Sequence, residues 1–485
     1  MLTRIILLFS LLYSTTSNAD EWLVLHSLLP KGTQFSYMVV DVNSETVIAE
    51  HHQETLRTPA SMQKLLTATA AKLHLGGDFY YQTKLTGDPS KIKNKRYKGD
   101  LRLNFVGDPT LKRADIRLML LSLKKLGIGE ILGDFILNDA HFSGYQWSNG
   151  QAWNDLGVCY TAPSNAIIVN KNCVQGNLSI SSPTAKKATL FIPSYEPVSI
   201  NADVDVVTKE QRKNQFCDLE VTRNSQNSYQ LWGCMVPRKR AFGLAFAVND
   251  PFHYSARIIE DELKQLGIKF NGVVRLENRE YVGPDNQVLA SYQSPSLDKL
   301  LKIMMKESDN LIADSLFKTL GGSYFQRSGN FRNGGQAVKA ILAEQGLDLE
   351  NAYLADGSGL SRHNLMSAEL FMSVLKFVYK NDIQFDLLSS FSVAGVDGTL
   401  KYHRGVKGKQ FKGKVIAKTG SMKGVANLLG VVKTAQGDRL FVLMLNGYNK
   451  PENELQSTLK RESNASKYLF EKAFFETILN TPLKQ

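Results

Sequence analysis

Ser61 and Lys64 stand one helical turn apart in Thr-Pro-Ala-Ser-Met-Gln-Lys-Leu-Leu-Thr, residues 58–67. Residues three apart on a helix are neighbours, so this hydroxyl and this amine can touch. A serine becomes a nucleophile only when a base takes its proton, and a lysine driven toward its neutral form by burial and nearby positive charge is such a base. The spacing alone carries little weight, because Ser-x-x-Lys recurs at Ser90, Ser122, Ser296, Ser315, Ser373 and Ser457. Two other groups offer matching chemistry. Ser308 and Asn310 place a hydroxyl and an amide two residues apart, and Lys418-Thr419-Gly420 sets an amine and a hydroxyl beside a glycine that permits close approach of another backbone. Ser-x-Asn also occurs at Ser199 and Ser225, whereas Lys-Thr-Gly occurs once. Each group alone reads as an ordinary polar patch. Their order, on a helix start, a segment between helices and a strand, points to one site.

The elements that must position them follow from pattern. Thr58 and Pro59 are entry signals for a helix over 60–74, and a second helix over 296–320 carries Ser308 and Asn310. Apolar Val415, Ile416 and Ala417 lead into Lys-Thr-Gly, so 414–420 reads as a strand, with two more over 427–433 and 439–446. Gln436-Gly437-Asp438 turns the last pair. At the other end, 35–42 and 46–49 form a hairpin, and a closing helix over 463–479 packs Leu469, Ala473 and Ile478 on a sheet. The two ends therefore suggest one α/β sandwich with N- and C-terminal strands in a single antiparallel sheet. The middle, 86–294, alternates short strands and turns around a helix-like 114–125. Gly-x-Gly-x-x-x-Gly at 127–133 precedes a strand-like stretch, 134–137, and lacks a placed acidic partner, so it reads as turn chemistry rather than a dinucleotide loop. A separate β-rich part, 166–244, holds cysteines.

The chain has 485 residues, 43% of them apolar, enough for about three domains. Arg4, an apolar run over 5–13, and small Ser17 and Ala19 read as a secretory signal cleaved after Ala19. No later stretch is long and apolar enough to span a bilayer. The expected division is 1–19 signal, 20–85 with 295–485 as one domain, 86–165 with 245–294 as a second, and 166–244 as a third. Net charge of +12 suits peripheral contact with an anionic cell-wall or membrane surface; export and the lack of a recognisable module argue against nucleic acid. Four cysteines in an oxidising compartment read as bridges, and of three connectivities the local pairing 159–173 and 217–234 is expected. A metal site lacks Cys-x-x-Cys spacing and clustered histidines, so none is expected. His51-His52 reads as an exposed turn.

Taken together, the three motifs resemble those of the penicillin-recognising serine enzymes. The chain is most similar to the penicillin-binding protein 4 family, the class C low-molecular-mass penicillin-binding proteins with D-alanyl-D-alanine carboxypeptidase/endopeptidase activity. Trp153-Asn-Asp-Leu, Asp356-Gly-Ser-Gly-Leu-Ser-Arg-His-Asn364 and Lys418-Thr-Gly-Ser-Met-Lys-Gly424 support the likeness, and the long gap from Lys64 to Ser308 fits inserted domains rather than a compact β-lactamase. The resemblance implies an α/β (α+β) fold: a serine transpeptidase/β-lactamase-like sandwich with two β-rich domains inserted after the Ser-x-x-Lys helix. It implies a periplasmic enzyme that needs no cofactor, with peptidoglycan stem peptides and cross-links as substrates and β-lactam antibiotics as ligands.

The resemblance also assigns roles. Ser61 would form the acyl-enzyme with Lys64 or Lys418 as base, Ser308 would relay a proton to the leaving amine, and Asn310 would orient the substrate amide and Lys64. Lys418 and Thr419, with Gly420 beside them, suit the substrate carboxylate, and the N–H groups of Ser61 and Ser421 an oxyanion hole. Asp155, Tyr160, Arg362 and Lys423 match positions that grip the peptide's diamino-acid side chain; Lys423 stands where relatives carry glutamine. Two other readings share the fold. A β-lactamase would want a Glu-x-x-Leu-Asn deacylation stretch, which does not follow Ser308, and a silent wall-binding scaffold would not need the intact motif residues.

Overall fold

The computed structural model describes Trp22, residues 24–449 except 183, 225 and 284, and residues 466–482. The expected signal segment, 1–19, lies outside the described residues.

Strand β1 (Gln34–Asp41) turns through an Asp41 carboxylate that accepts from the Asn43 and Ser44 N–H groups at 3.1 and 2.9 Å, and returns as β2 (Val47–His51). Helix α1 (Lys64–Leu75) follows a 3-10 turn, Ala60–Gln63. After the insertion come α2 (Leu297–Glu307), α3 (Asn310–Phe325), α4 (Phe331–Ala343) and α5 (Ala368–Lys380). The chain then enters β3 (Ser392–Val393), β4 (Val415–Met422), β5 (Val425–Thr434) and β6 (Gly437–Asn446), and α6 (Ser466–Asn480) closes it. The six strands form one antiparallel sheet in the order β3-β4-β5-β6-β1-β2, so the expected union of N- and C-terminal strands in one sheet holds.

Side chains alternate across a strand, and both faces of this sheet are buried. Met38 and Val40 join Leu429, Val442 and Met444 against helices α1 to α5, whereas Tyr37 and Val39 join Phe441 and Leu443 against Phe470, Phe474 and Phe475 of α6. Helix α1 lies at the centre of the first layer. Every residue from Lys64 to Ala71 is buried, because α2, α3, α4 and α5 all pack against it, and its small alanines and threonines let them approach.

The helix expected over 296–320 is two, and Ser308 lies in the segment between helices where the order of the motifs placed it. Leu297, Leu300, Leu301, Met304 and Met305 keep an apolar stripe through α2, and then Ser308 turns left-handed at φ +59° and Asp309 caps α3 by accepting from the Ile312 N–H at 3.0 Å. The apolar spacing resumes after the break, which hides it from a reading by period. The expected exposed pair at 51–52 also needs correction: His51 ends β2 and packs against His26 and Phe35, ring centroids 4.4 and 4.7 Å away, leaving only His52 exposed.

Between α1 and α2, a mixed five-stranded sheet runs Val274–Glu277, Phe135–Asn138, Leu101–Asn104, Gln82–Gly87, Gln287–Gln293. Helices Arg113–Lys125 and Pro251–Gln265 cover it, so this region is not purely β-rich; the second helix escaped the sequence reading although Ile258, Ile259 and Leu263 share its buried face. A four-stranded sheet of two-residue strands, Lys269–Phe270, Glu130–Ile131, Arg96–Tyr97 and Ile92–Lys93, and two three-stranded sheets, one on Cys173–Ser179 and one on Ser228–Met235, complete the described part of the insertion. Both expected disulfides form, Cys159–Cys173 and Cys217–Cys234.

Candidate active site

Ser61 sits in the 3-10 turn and Lys64 opens α1 beneath it. The Lys64 amine donates to Ser61 Oγ at 2.9 Å, to Asn310 Oδ1 at 2.7 Å and to the Ser358 carbonyl at 2.6 Å. It has no solvent exposure, and burial pushes it down to about 8 even though Asp314, Asp356 and Asp309 draw it up. Lys418, also fully buried on β4, donates to Ser308 Oγ and to the Thr419 carbonyl, both at 2.9 Å. Burial, and then the facing Lys64, hold its amine well below the ordinary value. The left-handed turn at Ser308 is what aims that hydroxyl at Lys418 while Asn310, two residues on, faces Lys64.

Three contacts seat the nucleophile turn on the sheet. Asn427 on β5 donates to the Thr58 and Pro59 carbonyls at 3.0 and 2.9 Å, and Asn446 on β6 accepts from the Thr58 N–H at 2.9 Å. A Cβ on Gly420 would lie 2.6 Å from the Pro59 carbonyl, so only glycine lets β4 lie this close to the turn. From the other side the Asp356-Gly-Ser-Gly359 turn closes in: Gly359 has φ +84°, and a Cβ there would stand 1.9 Å from the Ala60 carbonyl. Gln63, Lys64 and Thr67 bind the carbonyls of Asp356, Ser358 and Gly357 in turn.

Above these residues opens a cavity of about 410 Å³ whose lining includes Ser61, Ser308, Asn310, Ser421, Asp155, Tyr160, Arg362 and Lys423. Lys64 and Lys418 do not line it but donate to the Ser61 and Ser308 hydroxyls that do. Thr419 is nearly buried, its hydroxyl donating to Thr399 at 3.0 Å. A larger cavity, about 840 Å³, lies between residues 79–82 and 278–288 and holds none of the motif residues, so chemistry rather than size selects the smaller one.

The insertion supplies one wall. Asn310 Nδ2 donates to the Tyr160 carbonyl at 2.8 Å, which fixes its amide with the oxygen toward Lys64. The Tyr160 hydroxyl is pushed up to about 12 by burial and by its hydrogen bond to Asp155. The adjacent Cys159–Cys173 bridge tethers this wall, and Lys171 pairs with Asp309 at 2.7 Å. In the same lining, Arg362 donates to the Lys423 carbonyl at 3.2 Å and forms no ion pair among the described residues, so two cations and the Asp155 carboxylate share the cavity.

The structure thus brings together all twelve residues singled out from sequence: eight line the cavity, Lys64 and Lys418 are buried against Ser61 and Ser308, and Thr419 and Gly420 lie on the strand beside it. It adds positions the sequence reading missed: Asp314, Ser358, Asn427 and Asn446, buried polar side chains whose partners are far away in sequence, and Gln151, Leu360 and Met422 in the lining. The one available signal was that Asp314 falls a helical turn after Asn310.

Known proteins are similar to this chain in sequence and fold. D-alanyl-D-alanine carboxypeptidase DacB of Haemophilus influenzae is 39% identical over 434 residues, 89% of each chain. The crystal structure of penicillin-binding protein 4 (dacB) from that organism superposes with a TM-score of 0.87 at 37% identity, covering 96% of this chain and 100% of that one. Its complex with a novel β-lactam superposes with a TM-score of 0.83 at 35% identity, with the same coverage. With residues 24–464 matching the family as a whole, the chain belongs to the D-Ala-D-Ala carboxypeptidase 3 (S13) family.

Proposed function

We propose that the protein is a serine D-alanyl-D-alanine carboxypeptidase and endopeptidase of peptidoglycan peptides, working through an acyl-enzyme on Ser61 that penicillins also form. The observation that carries this reading is the 2.9 Å contact between Ser61 Oγ and an amine that burial pushes toward its neutral form. Ser61 Oγ attacks the carbonyl carbon between two D-alanines as its proton passes to Lys64. The C–N bond then breaks, and Ser308, bonded to Lys418, relays a proton to the leaving amine. Water hydrolyses the ester and restores Ser61. Lys418 and Thr419, with Gly420 giving β4 its close seat, receive the terminal carboxylate, and the N–H groups of Ser61 and Ser421 receive the oxyanion; one such donor is worth about 3 kcal/mol.

Asp155 beside Tyr160, in a lining shared with Arg362 and Lys423, suits a side chain ending in both an ammonium and a carboxylate, as diaminopimelate does. We assign residues 20–85 and 295–485 to the catalytic domain and 86–165 with 245–294, and 166–244, to two inserted ones; the strands Gln82–Gly87 and Phe242–Ala247 run across two of those limits. Export to the periplasm is supported by the leader-like residues 1–19 and by two disulfides, and no helix among the described residues is long and apolar enough to cross a membrane. The charge of +12 favours peripheral contact with an anionic wall or membrane surface.

Fluorescent penicillin labelling tests the reading together with D-alanine release from stem peptides and cleavage of cross-linked muropeptides. Stable label that S61A abolishes, with D-alanine released by the wild type, is expected. Rapid turnover of the drug would indicate a β-lactamase, and absence of both label and product would end the proposal.

A further inference from the structure

Helix α3 carries more buried charge than the reaction above uses. Asn310 opens it, Asp314 follows one turn later and Lys318 one turn after that, and the last two are 4% and 1% exposed. We propose that Asp314 is a positioning residue for the nucleophile: it fixes, through the Gly357-Ser358 turn, an acceptor that holds the Lys64 amine, and it supplies a buried negative charge facing that amine. This rests on Lys64 being the base for Ser61.

The geometry is continuous. Asp314 Oδ1 accepts from the Gly357 and Ser358 N–H groups at 3.1 and 2.8 Å, and Oδ2 accepts from the Ser358 hydroxyl at 3.1 Å. The carbonyl of that same Ser358 receives Lys64 Nζ at 2.6 Å. Asp356 tightens the turn by accepting from the Gly359 N–H at 2.8 Å and the Ser361 N–H at 2.7 Å. The turn therefore hangs from one carboxylate on α3 and presents its carbonyl to the amine on α1.

The charges around the pair come from every side: Asp356 from the turn, Asp309 ahead of α3, Lys318 on α3 itself and Lys418 on β4. Lys318 is bound elsewhere, donating to the Tyr145 and Ser164 carbonyls at 2.8 and 2.5 Å, so it does not neutralise Asp314 by contact. Burial, then Asp356, push the Asp314 carboxyl up, while Lys64 draws it back toward the carboxylate. Two groups that interact this closely titrate as a pair. An ionised Asp314 favours the Lys64 ammonium, so removing its charge lowers the pH at which Lys64 becomes neutral and able to accept the Ser61 proton.

The test is the second-order rate of Ser61 acylation by a fluorescent penicillin from about pH 5.5 to 9.5 in wild type, D314N and D314A. The amide of D314N keeps an oxygen for the two N–H groups, so its plateau should stay close to wild type while the acid limb moves down by about one pH unit or more. D314A leaves those N–H groups without an acceptor, and its plateau should fall about tenfold or more. A structural role alone would lower plateau and melting temperature without moving the limb, and that result overturns the inference. If wild type is not acylated, it is the reading of Ser61 and Lys64 that fails.

Discussion

Replacing Gly359 by alanine is the sharpest test of how Ser61 is held. At φ +84° an alanine is strained by about 1–2 kcal/mol, whatever the space around it. Its Cβ would also stand 1.9 Å from the Ala60 carbonyl oxygen, 2.3 Å from that carbonyl carbon and 3.0 Å from the Ser61 nitrogen. To bring the first contact out to 3.0 Å, the shortest that real Cβ atoms show, the two backbones must part by about 1.1 Å. The sheet resists on the far side, where Gly420 and Asn427 already touch Pro59, so the displacement falls on the nucleophile turn itself. Overpacking of this kind costs about 1–3 kcal/mol in addition to the strain. A misplacement near 1 Å at a reacting group costs on the order of 100-fold in rate. G359A should therefore acylate with penicillin about 100-fold more slowly in a stopped-flow assay and melt at a lower temperature. Gly346 provides the control: φ is +76° but nothing lies within 4 Å of its Cβ position, so G346A should lose only the strain and keep its rate. A folded G359A that acylates at the wild-type rate would refute the claim that this close approach seats Ser61.

Two further outcomes follow from the charges. Lys64 must be neutral to accept a proton, and its amine is held down to about 8, so the acylation rate should rise about tenfold per pH unit below that value and level above it; a flat profile across the same range would exclude Lys64 as the base. Lys423→Gln removes a cation beside Arg362 at an exposed mouth, where one charge contact is worth about 1 kcal/mol, so KM should rise up to about fivefold for stem peptides with a free side-chain carboxylate. The amidated peptides should be unaffected and kcat unchanged; equal losses on both peptides would remove Lys423 from substrate recognition.

The same letters recur in this chain with opposite meaning, and that separates what is legible in sequence from what is not. Ser315 and Lys318 on α3 repeat the Ser-x-x-Lys spacing, both are buried, and burial pushes the Lys318 amine down to about 7. Yet Lys318 donates to two carbonyls, and Ser315 Oγ has no partner and no opening to a cavity. Spacing sets only that two side chains share a helix face, and it does so equally at both places. Which pair meets a substrate depends on the β4 strand, the Ser308 turn and the insertion wall converging on one of them.

The sequence by itself determined the local elements and the chemistry they bear: strands by apolar, β-branched runs bounded by turn residues, α1 by its entry signals, local disulfides by compartment and spacing, and three motifs in order. Only the tertiary structure decided the break at Ser308, the amide clamps of Asn427 and Asn446 on the residues before Ser61, and the turn that joins Asp314 to Lys64. The physical reason is one of range. Backbone periodicity and caps act over a few residues, whereas burial, and with it the proton affinity of a lysine, is set by whatever the rest of the chain places around it.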